Sequence, residues 1–366
     1  MEFAELLPKT TTPEEEGGVI FCSSEEGVRD AVKIRPAGKL LFVTDCHALK
    51  AFRTCLPPRA LCLVLDTDDC LPLFATSDDV SMVVAAGRKS TLASARFFAE
   101  IRKIPCAVFP VSAALDGAYD ACGRVALGAN ASVVPLKEAT VYCDEELVSP
   151  DSGQAYMRLL LSRLALVEAK ALRGLGLEAG CEEAQERAYQ ALLPLKVKTL
   201  TLREVVIKNA FIRKCERKGM AAGEGALLAR EIGSHGAEQA FFLLSALYAT
   251  FFSKGKARLQ VPDYTARARA AGAAYAEQRV PTLQEFFHRV TAFERIRAEL
   301  STELNALIEG ETHFRRNFYL LEGRPPAEAR EIRFLKELPE RTTGLSSVIR
   351  DFGLMEWEEE FFIKSV

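Results

Sequence analysis

Residues 80–119 read VSMVVAAGRKSTLASARFFAEIRKIPCAVFPVSAALDGAY, and this stretch decides the fold. Val80–Ala86 is a nearly continuous apolar run, which is typical of a strand buried on both faces of a parallel sheet. Gly87 ends the strand and permits a tight turn or a close backbone approach. A helix follows, and Ser90 or Thr91 is expected to cap it. The pattern is that of a strand leading through a glycine turn into a helix.

The second half of the stretch returns the chain to the sheet. Pro105 bars further helix, and the apolar residues 107–111 predict another strand. A unit of this kind crosses over in the right-handed sense, so its two strands run parallel. The helix that opens at Gly87 and the loop at Asp116 are then expected on the same edge of the sheet, where α/β proteins bind ligands.

Length and composition limit what kind of protein this is. The chain has 366 residues, which predicts two domains. Its net charge of −3, with 49% apolar and 27% charged residues, is typical of a globular protein and argues against a nucleic-acid partner. No apolar run approaches the length needed to span a membrane, and the acidic N-terminus lacks the order of a signal peptide. The prediction is a cytoplasmic protein without membrane or nucleic-acid partners.

The cysteines and histidines constrain the chemistry. Ten cysteines are scattered without a CxxC pair. Cys62 and Cys106 lie in apolar sequence, which predicts reduced, buried thiols in a cytosolic protein. There are four histidines. Any site that needs several imidazoles must draw on them.

Two further strands are predicted before residue 80. The first covers 40–44 and ends at Asp45, which either accepts hydrogen bonds from a ribose or caps the next helix. The second covers 60–65 and is followed by an acidic turn at 66–69, which is interpreted as a solvated loop without a metal. Residues 1–38 are expected to form a mobile lead and then a lid or short helix at GVRDAVKI.

The character of the sequence changes near residue 150. The chain up to that point alternates strands and helices, whereas helical periodicity dominates afterwards. We therefore predict an α/β nucleotide-binding-like domain over 1–150 and an all-helical domain over 151–366. The last predicted helices lie within AREIRFLKELPERTTGLSSVIRDFGLMEWEEEFF at the C-terminus.

Several blocks carry a family resemblance by their order and spacing. They are VTD at 43–45, AAGRKS at 85–90, the DG of Asp116-Gly117, VPLKEATVYCDEELV at 134–148 and SHG at 234–236. Together they resemble the iron/zinc-dependent polyol dehydrogenase and dehydroquinate synthase superfamily, most closely its glycerol-1-phosphate dehydrogenase-like branch. The likeness covers most of the chain.

The resemblance implies a dehydroquinate synthase-like fold. This fold joins an N-terminal Rossmann-like α/β domain to a helical C-terminal domain, with a cleft between them for NAD(P) and a divalent zinc or iron ion. Asp116 and His235 match positions that are catalytic in the family. The positions implied for the cofactor are Asp45, Gly87, Arg88, Lys89, Ser90 and Thr91. Only one glycine of the family's triplet is present, because Arg88 and Lys89 take the other two positions.

The metal ligands implied by the resemblance are mostly missing. The family's aspartate aligns with Leu166 and one of its histidines with Ala226, so His235 alone keeps a ligand identity. Glu168 and Glu224 lie two positions from the two gaps. A step of two residues turns a helical side chain by about 200°, onto roughly the opposite face, which argues against a substitution by either glutamate.

Two hypotheses for the function follow. The first is an NAD(P)-linked oxidoreductase of the glycerol-1-phosphate or glycerol dehydrogenase type with a degraded metal site. The second is a metal-free pseudoenzyme that keeps its cleft for a phosphorylated ligand or a nucleotide, or that acts as an assembly partner. Both imply a small-molecule ligand, polyol or phosphorylated, and both are compatible with a homo-oligomer. Arg163 and Arg230 lie one turn from the missing ligands, which predicts a cationic pocket for an anion.

Overall fold

The computed structural model describes residues 13–33, 38–67, 69–177, 179–193, 200–233, 235–254, 283–308, 311–327, 344–346 and 348. Within these ranges the chain forms two compact units. The first comprises residues up to Ala155 together with Leu200–Arg217, and the second comprises Tyr156–Thr199 and the chain from Lys218 onwards. Each unit is therefore built from two separate stretches of the chain.

The first unit is built on a seven-stranded sheet. In chain order its strands are β1 Glu14–Glu16, β2 Val19–Phe21, β3 Lys39–Thr44, β4 Leu61–Val64, β5 Val80–Gly87, β6 Cys106–Pro110 and β9 Thr140–Cys143. Their order across the sheet is β1-β2-β9-β6-β5-β3-β4. All neighbours run parallel except β1 and β2, which are antiparallel. The parallel strands predicted from the sequence are confirmed.

Helices cover the sheet because the central strands are apolar on both faces. The helices of this unit are α1 Ser24–Lys33, α2 Cys46–Phe52, α3 Leu71–Phe74, α4 Lys89–Arg102, α5 Glu145–Val148 and α8 Leu202–Arg217, and α6 Ser152–Gly174 begins here. Phe52 of α2 packs with Phe42, Phe109 and Tyr142 in one cluster, whose sheet residues share one face. The helix α4 lies along β5 and β6. This three-layer arrangement confirms the Rossmann-like α/β prediction.

Some elements of the first unit were not predicted. The strands β1 and β2 lie where the sequence suggested only a mobile lead, and Ser24–Lys33 is longer than the short helix expected there. A two-stranded antiparallel ribbon joins β7 Cys122–Leu127 to β8 Asn130–Pro135. Most of β8 is exposed, so its sequence does not show the alternation of apolar and polar residues that would have predicted a strand.

The second unit is helical throughout its described residues. Its helices are most of α6, then α7 Glu182–Leu192, α9 Gly223–Ile232, α10 Gly236–Lys254, α11 Leu283–Ile308 and α12 Glu311–Glu322. No helix among the described residues combines the length and the apolar character needed to cross a bilayer. The helices predicted beyond residue 327 lie outside the described residues except for 344–346 and 348.

The cysteines correct one expectation. All ten are unpaired, as predicted, and Cys106 is buried. Cys62, however, is exposed, because β4 is the edge strand of the sheet and alternates between half-buried and exposed side chains. Burial raises the pKa of Cys106 to about 12, so this thiol stays protonated at neutral pH.

Candidate functional site

The candidate site lies at the carboxyl ends of the strands of the first unit. From β3 the chain continues to β4 on one side, then returns to place β5 on the other side of β3. The direction of strand addition therefore reverses between β3 and β5. A crevice opens at such a switch point, and open α/β sheets bind their ligands there. We call this edge, formed by Asp45, residues 87–91 and Asp116-Gly117, the strand-end rim.

Asp45 forms the β3 side of the strand-end rim. Its side chain is 3% exposed, and Oδ1 accepts hydrogen bonds from the N–H groups of His47 at 3.0 Å and Ala48 at 2.9 Å. Oδ2 accepts the N–H of Arg88 at 2.7 Å. Asp45 therefore caps α2 and also joins the two elements at the switch point. Its role toward a ribose stays a prediction.

Gly87 forms the β5 side of the rim, and no other residue fits there. Its φ is +149°, a conformation that side chains rarely adopt. A Cβ on this residue would lie 2.5 Å from Asp45 Oδ2. The close approach of the two strand ends thus depends on the one glycine that the sequence keeps.

The helix α4 begins without a side-chain cap. Arg88 occupies the N-cap position in an extended conformation, and its side chain makes no capping hydrogen bond. The expectation that Ser90 or Thr91 caps this helix is wrong, because both lie inside its first turn. The Thr91 hydroxyl instead donates to the carbonyl of Leu65 at 3.4 Å. The first-turn N–H groups are thus left for solvent or a ligand.

Two cations stand at this helix start. Arg88 and Lys89 are exposed, and Lys89 Nζ pairs with Asp120 at 2.9 Å. The positive end of the helix dipole, free N–H groups and two cations all favour an anion at the rim. The structure therefore places the predicted residues Arg88, Lys89, Ser90 and Thr91 in one local group.

The Asp116-Gly117 loop lies against this group, as the sequence predicted. Gly117 has a φ of +80°, and a Cβ there would lie 2.9 Å from the carbonyl oxygen of Lys89. The Asp116 carboxylate accepts a hydrogen bond from Arg213 of α8 at 2.7 Å. Arg213 also pairs with Glu216 at 2.9 Å. Asp116 is therefore held in an ion-pair network and does not merely stabilise its own turn.

Arg96 supports the loop from beneath and was not singled out in the sequence. It is fully buried on α4, and its guanidinium donates to the carbonyls of Gly117, Asp120 at 2.8 Å and Lys137 at 2.7 Å. Burial lowers the pKa of Arg96, although the group remains cationic at any ordinary pH. An arginine in the middle of an apolar helix face is the signal that could have revealed it.

The positions implied for the metal lie in the second unit, and two of them lack donor atoms. Leu166 is 7% exposed on α6, and Ala226 is exposed on α9. The two glutamates nearby are buried, at 3% exposed for Glu168 and 4% for Glu224, so Leu166 and Glu168 are both buried on α6, whereas Ala226 and Glu224 differ on α9. On α9 the Ala226 side chain is exposed and the Glu224 side chain is buried. The two therefore lie on different faces of this helix, as a step of two residues predicts.

Glu168 and Glu224 come together around Tyr248. The hydroxyl of Tyr248 lies 3.0 Å from Glu168 Oε1 and 2.8 Å from Glu224 Oε2. The backbone N–H of Glu224 donates to Glu168 Oε2 at 2.9 Å, and the Ser346 hydroxyl donates to Glu224 Oε1 at 2.7 Å. Hydrogen bonds from protein groups thus occupy the oxygens of both carboxylates. We call these four residues the carboxyl cluster.

The carboxyl cluster holds a proton at neutral pH. Burial, and then the negative charge of Glu224, raise the pKa of Glu168 to about 8. A single phenolic hydrogen can serve only one of the two carboxylates. A protonated Glu168 that donates to Tyr248, which in turn donates to Glu224, therefore satisfies all three groups. No pattern in the sequence indicates that these two glutamates, 56 positions apart, would meet.

His235 lies in the second unit at the start of α10. It is exposed, has a φ of +58°, and its carbonyl accepts the N–H of Gln239 at 3.1 Å. The ring Nδ1 lies 3.2 Å from Glu238 and 3.0 Å from Arg324. Burial alone would raise the pKa of Glu238, but hydrogen bonds from Arg324 and the Ala327 amide lower it overall. His235 thus belongs to an ion-pair network at a helix start.

Comparisons with known proteins concern the fold only. No family model matches the sequence, and no curated sequence matches it. Similar solved structures include glycerol dehydrogenase from Schizosaccharomyces pombe, which is 12% identical over 84% of this chain and 92% of that chain, with a TM-score of 0.45. Iron-containing alcohol dehydrogenase from Thermotoga maritima is 11% identical over 98% of each chain, with a TM-score of 0.48.

A third similar structure is maleylacetate reductase from Rhizobium sp. strain MTP-10005. It is 14% identical over 97% of this chain and 95% of that chain, with a TM-score of 0.48. The similar structures thus include an iron-containing alcohol dehydrogenase and a glycerol dehydrogenase. Likenesses this remote assign neither a ligand nor an activity to this chain.

The residues present do not fit a three-ligand metal centre of the polyol dehydrogenase kind. Such a centre needs one carboxylate and two imidazoles around an open position. Leu166 and Ala226 offer no donor atom, and Nδ1 of His235 is engaged by Glu238 and Arg324. Among the residues that the structure describes, no three His, Cys, Asp or Glu side chains are grouped to hold a metal ion.

Proposed function

We propose that this chain is an NAD(P)-binding protein of the oxidoreductase type whose ligand site does not depend on a metal. The dinucleotide would bind at the strand-end rim of the first unit. One observation carries the proposal: the sheet reverses direction between Asp45 and Gly87, and the uncapped helix α4 starts there with two exposed cations. This is the position where α/β sheets bind nucleotide phosphates.

Each rim residue would contribute in a distinct way. The N–H groups of 89–91 would donate to phosphate oxygens, and Arg88 and Lys89 would neutralise their charge. The two side chains also narrow the space beside Gly87, where the family has further glycines. We therefore expect the phosphates to sit over the first turn of α4 and not deep against the strand end.

Fluorescence titration with NADH and NADPH tests this proposal. The wild type should show saturable binding, and the double variant Arg88→Ala/Lys89→Ala should bind at least tenfold more weakly, because two charge-assisted contacts are lost. Arg102→Ala is the matched control, since it removes a cation from the opposite end of the same helix. It should leave the affinity unchanged.

Competition separates a dinucleotide site from a general phosphate site. Adenosine diphosphate and inorganic phosphate are added in turn to the NADH complex. Displacement by adenosine diphosphate at a much lower concentration than phosphate supports a nucleotide ligand. If neither NADH nor NADPH binds at millimolar concentration, the proposal is wrong.

A second candidate function is an NAD(P)-linked polyol or polyol-phosphate dehydrogenase. It is favoured by the Asp116-Gly117 loop, which packs directly against Lys89 and so could present a carboxylate beside a nicotinamide. The test is oxidation of glycerol and glycerol 1-phosphate with NAD+ and NADP+, with and without added zinc or iron. Turnover that is lost in Asp116→Asn would support this candidate.

A further inference from the structure

The second unit contains a buried cation for which the described residues provide no counter-ion. Arg163 lies in the middle of α6 and is 2% exposed. Its Nη1 atom has no hydrogen-bond partner within the described part of the chain. Burying a charged group without a partner is costly, so protein interiors normally pair such a group or bind an ion to it.

The buried Arg96 and the half-buried Arg213 show what Arg163 lacks. Arg96 donates to three backbone carbonyls, and Arg213 pairs with Asp116 and Glu216. Arg163 has a ring contact instead, with its guanidinium carbon 3.8 Å from the centroid of the Tyr189 ring on α7. Stacking of this kind covers one face of the guanidinium but does not satisfy its N–H groups, which point along the plane.

The same face of α7 carries a second unsatisfied group. Gln185 lies one turn before Tyr189 and is 3% exposed. Its Nε2 donates to the carbonyl of Ala179, whereas its buried Oε1 has no partner among the described residues. Tyr189 thus lies near a cationic donor and a neutral acceptor. Both are buried, and neither has a hydrogen-bond partner among the described residues.

We propose that Arg163 binds a small anion within the second unit. The ligand would place two oxygens of a carboxylate or phosphate in the plane of the guanidinium and donate a hydroxyl hydrogen to Gln185. Hydroxycarboxylates and protonated phosphate share this chemistry. Arg230, the other cation predicted to serve such a pocket, is exposed and belongs to α9. The inference uses none of the strand-end rim residues and so is independent of the proposed function.

Calorimetric titration tests the proposal with three probes: inorganic phosphate, glycolate and acetate, which lacks the hydroxyl. The full-length chain carrying Arg88→Ala/Lys89→Ala is used, so that phosphate binding at the rim is weakened, and chloride keeps the ionic strength constant. Phosphate or glycolate should saturate one site, and acetate should bind more weakly than glycolate. The better of the two ligands identifies the natural source as a phosphorylated compound or a hydroxycarboxylate.

Variants assign the binding to Arg163. Arg163→Met in the same background should abolish the saturable heat, whereas Arg230→Met, an exposed arginine of the same unit, should leave it unchanged. Arg163→Met should also raise the melting temperature in anion-free buffer, because it removes an unpaired buried charge, and added phosphate should stabilise only the protein with Arg163.

Two results would overturn the inference. One is the absence of saturation by both phosphate and glycolate, and the other is an affinity of Arg163→Met within twofold of its parent. If Arg163→Met fails to fold, Arg163→Lys is tested in its place, because lysine keeps the positive charge but lacks the planar guanidinium with its paired N–H donors. It should bind at least fivefold more weakly than the parent, and equal affinity would contradict the inference.

Discussion

At Glu168 a carboxyl group is buried beside a second carboxyl with only a phenol between them. The pKa of Glu168 rises from 4.5 to about 8 because burial and the charge of Glu224 disfavour its ionised form. The unfolded chain would ionise this group near its ordinary value. Glu168 therefore binds a proton in the native state but not in the unfolded state between those two values, and its contribution to stability falls as the pH rises through that range.

Replacing Glu168 with glutamine should remove this pH dependence. Between about pH 4.5 and 8 the group contributes a loss of roughly 1.4 kcal/mol per pH unit in the wild type. In Glu168→Gln that contribution disappears, so the two proteins diverge as the pH rises and the variant becomes the more stable. Urea denaturation at a series of pH values measures the difference.

The control for this prediction is Glu182→Gln. Glu182 is exposed in the first turn of α7, so its replacement should shift the stability by a few tenths of a kcal/mol without changing the slope. A Glu168→Gln protein with the same pH slope as the wild type would show that the carboxyl cluster is fully ionised, contrary to our account.

Arg96 should be among the most sensitive single residues in the first unit. Arg96→Met leaves three carbonyls of the loop region without their donor, at about 1–3 kcal/mol for each unsatisfied group, so we expect a loss of several kcal/mol in the free energy of unfolding. Urea denaturation measures this loss. NADH affinity should fall as well, because the Asp116-Gly117 loop loses its support.

Arg102→Met provides the comparison on the same helix. Arg102 pairs with Asp78 at 2.7 Å, but that carboxylate is 91% exposed, and surface pairs of this kind contribute about 1 kcal/mol or less. Equal effects of the two substitutions on stability would rule out the supporting role of Arg96.

At the scale of elements, the start of α4 depends on Gly87. Gly87→Ala places a Cβ 2.5 Å from Asp45 Oδ2 and forces a side chain to a φ of +149°. Residues in such conformations cost about 1–3 kcal/mol, and displacing Asp45 would also loosen the cap of α2. We expect thermal denaturation to show a clear loss of stability and titration to show weaker NADH binding.

Gly176→Ala separates the cost of the contact with Asp45 from the cost of the backbone conformation. Gly176 has a φ of +71° with no atom within 4 Å of an added Cβ, so only the backbone cost applies there. If Gly87→Ala is no worse than Gly176→Ala, the contact with Asp45 does not hold the strand ends together.

Helices and strands could be predicted where the local sequence has one clear pattern of apolar residues. The continuous apolar runs at β3, β5 and β6 predicted buried parallel strands, and Pro105 marked the end of α4. The contacts of Arg96, Arg213 and the carboxyl cluster could not be predicted, because each joins residues far apart in the chain. Local periodicity contains no information on which distant polar groups meet.

At the scale of the whole chain, the two units differ in how far the sequence determines their chemistry. The strand-end rim is local: Asp45 follows β3 and Gly87 ends the neighbouring strand β5, so topology alone brings them together. The composition shift near residue 150 marked the helical part, but it could not show that α8 packs with the first unit through Arg203, Arg213 and Lys214.

The resemblance seen in the sequence implied metal ligands at the positions of Leu166 and Ala226, and the structure shows what surrounds these positions. The nearby glutamates form the carboxyl cluster, and His235 joins Glu238 and Arg324. The chain thus combines a sheet edge of the kind that binds nucleotides in other α/β proteins with a helical unit in which Glu168, Glu224 and His235 contact other protein groups. We propose that this chain binds its nucleotide independently of metal.

The measurement that tests this claim most directly is NADH calorimetry on one batch of protein, divided into a half treated with chelator and a half supplied with zinc or iron. Metal content and glycerol 1-phosphate oxidation are measured on both halves. We predict the same NADH affinity in the two halves, no stoichiometric metal and no glycerol 1-phosphate oxidation that depends on the added metal. One bound metal ion per chain, together with NADH binding or turnover that requires it, would contradict the account.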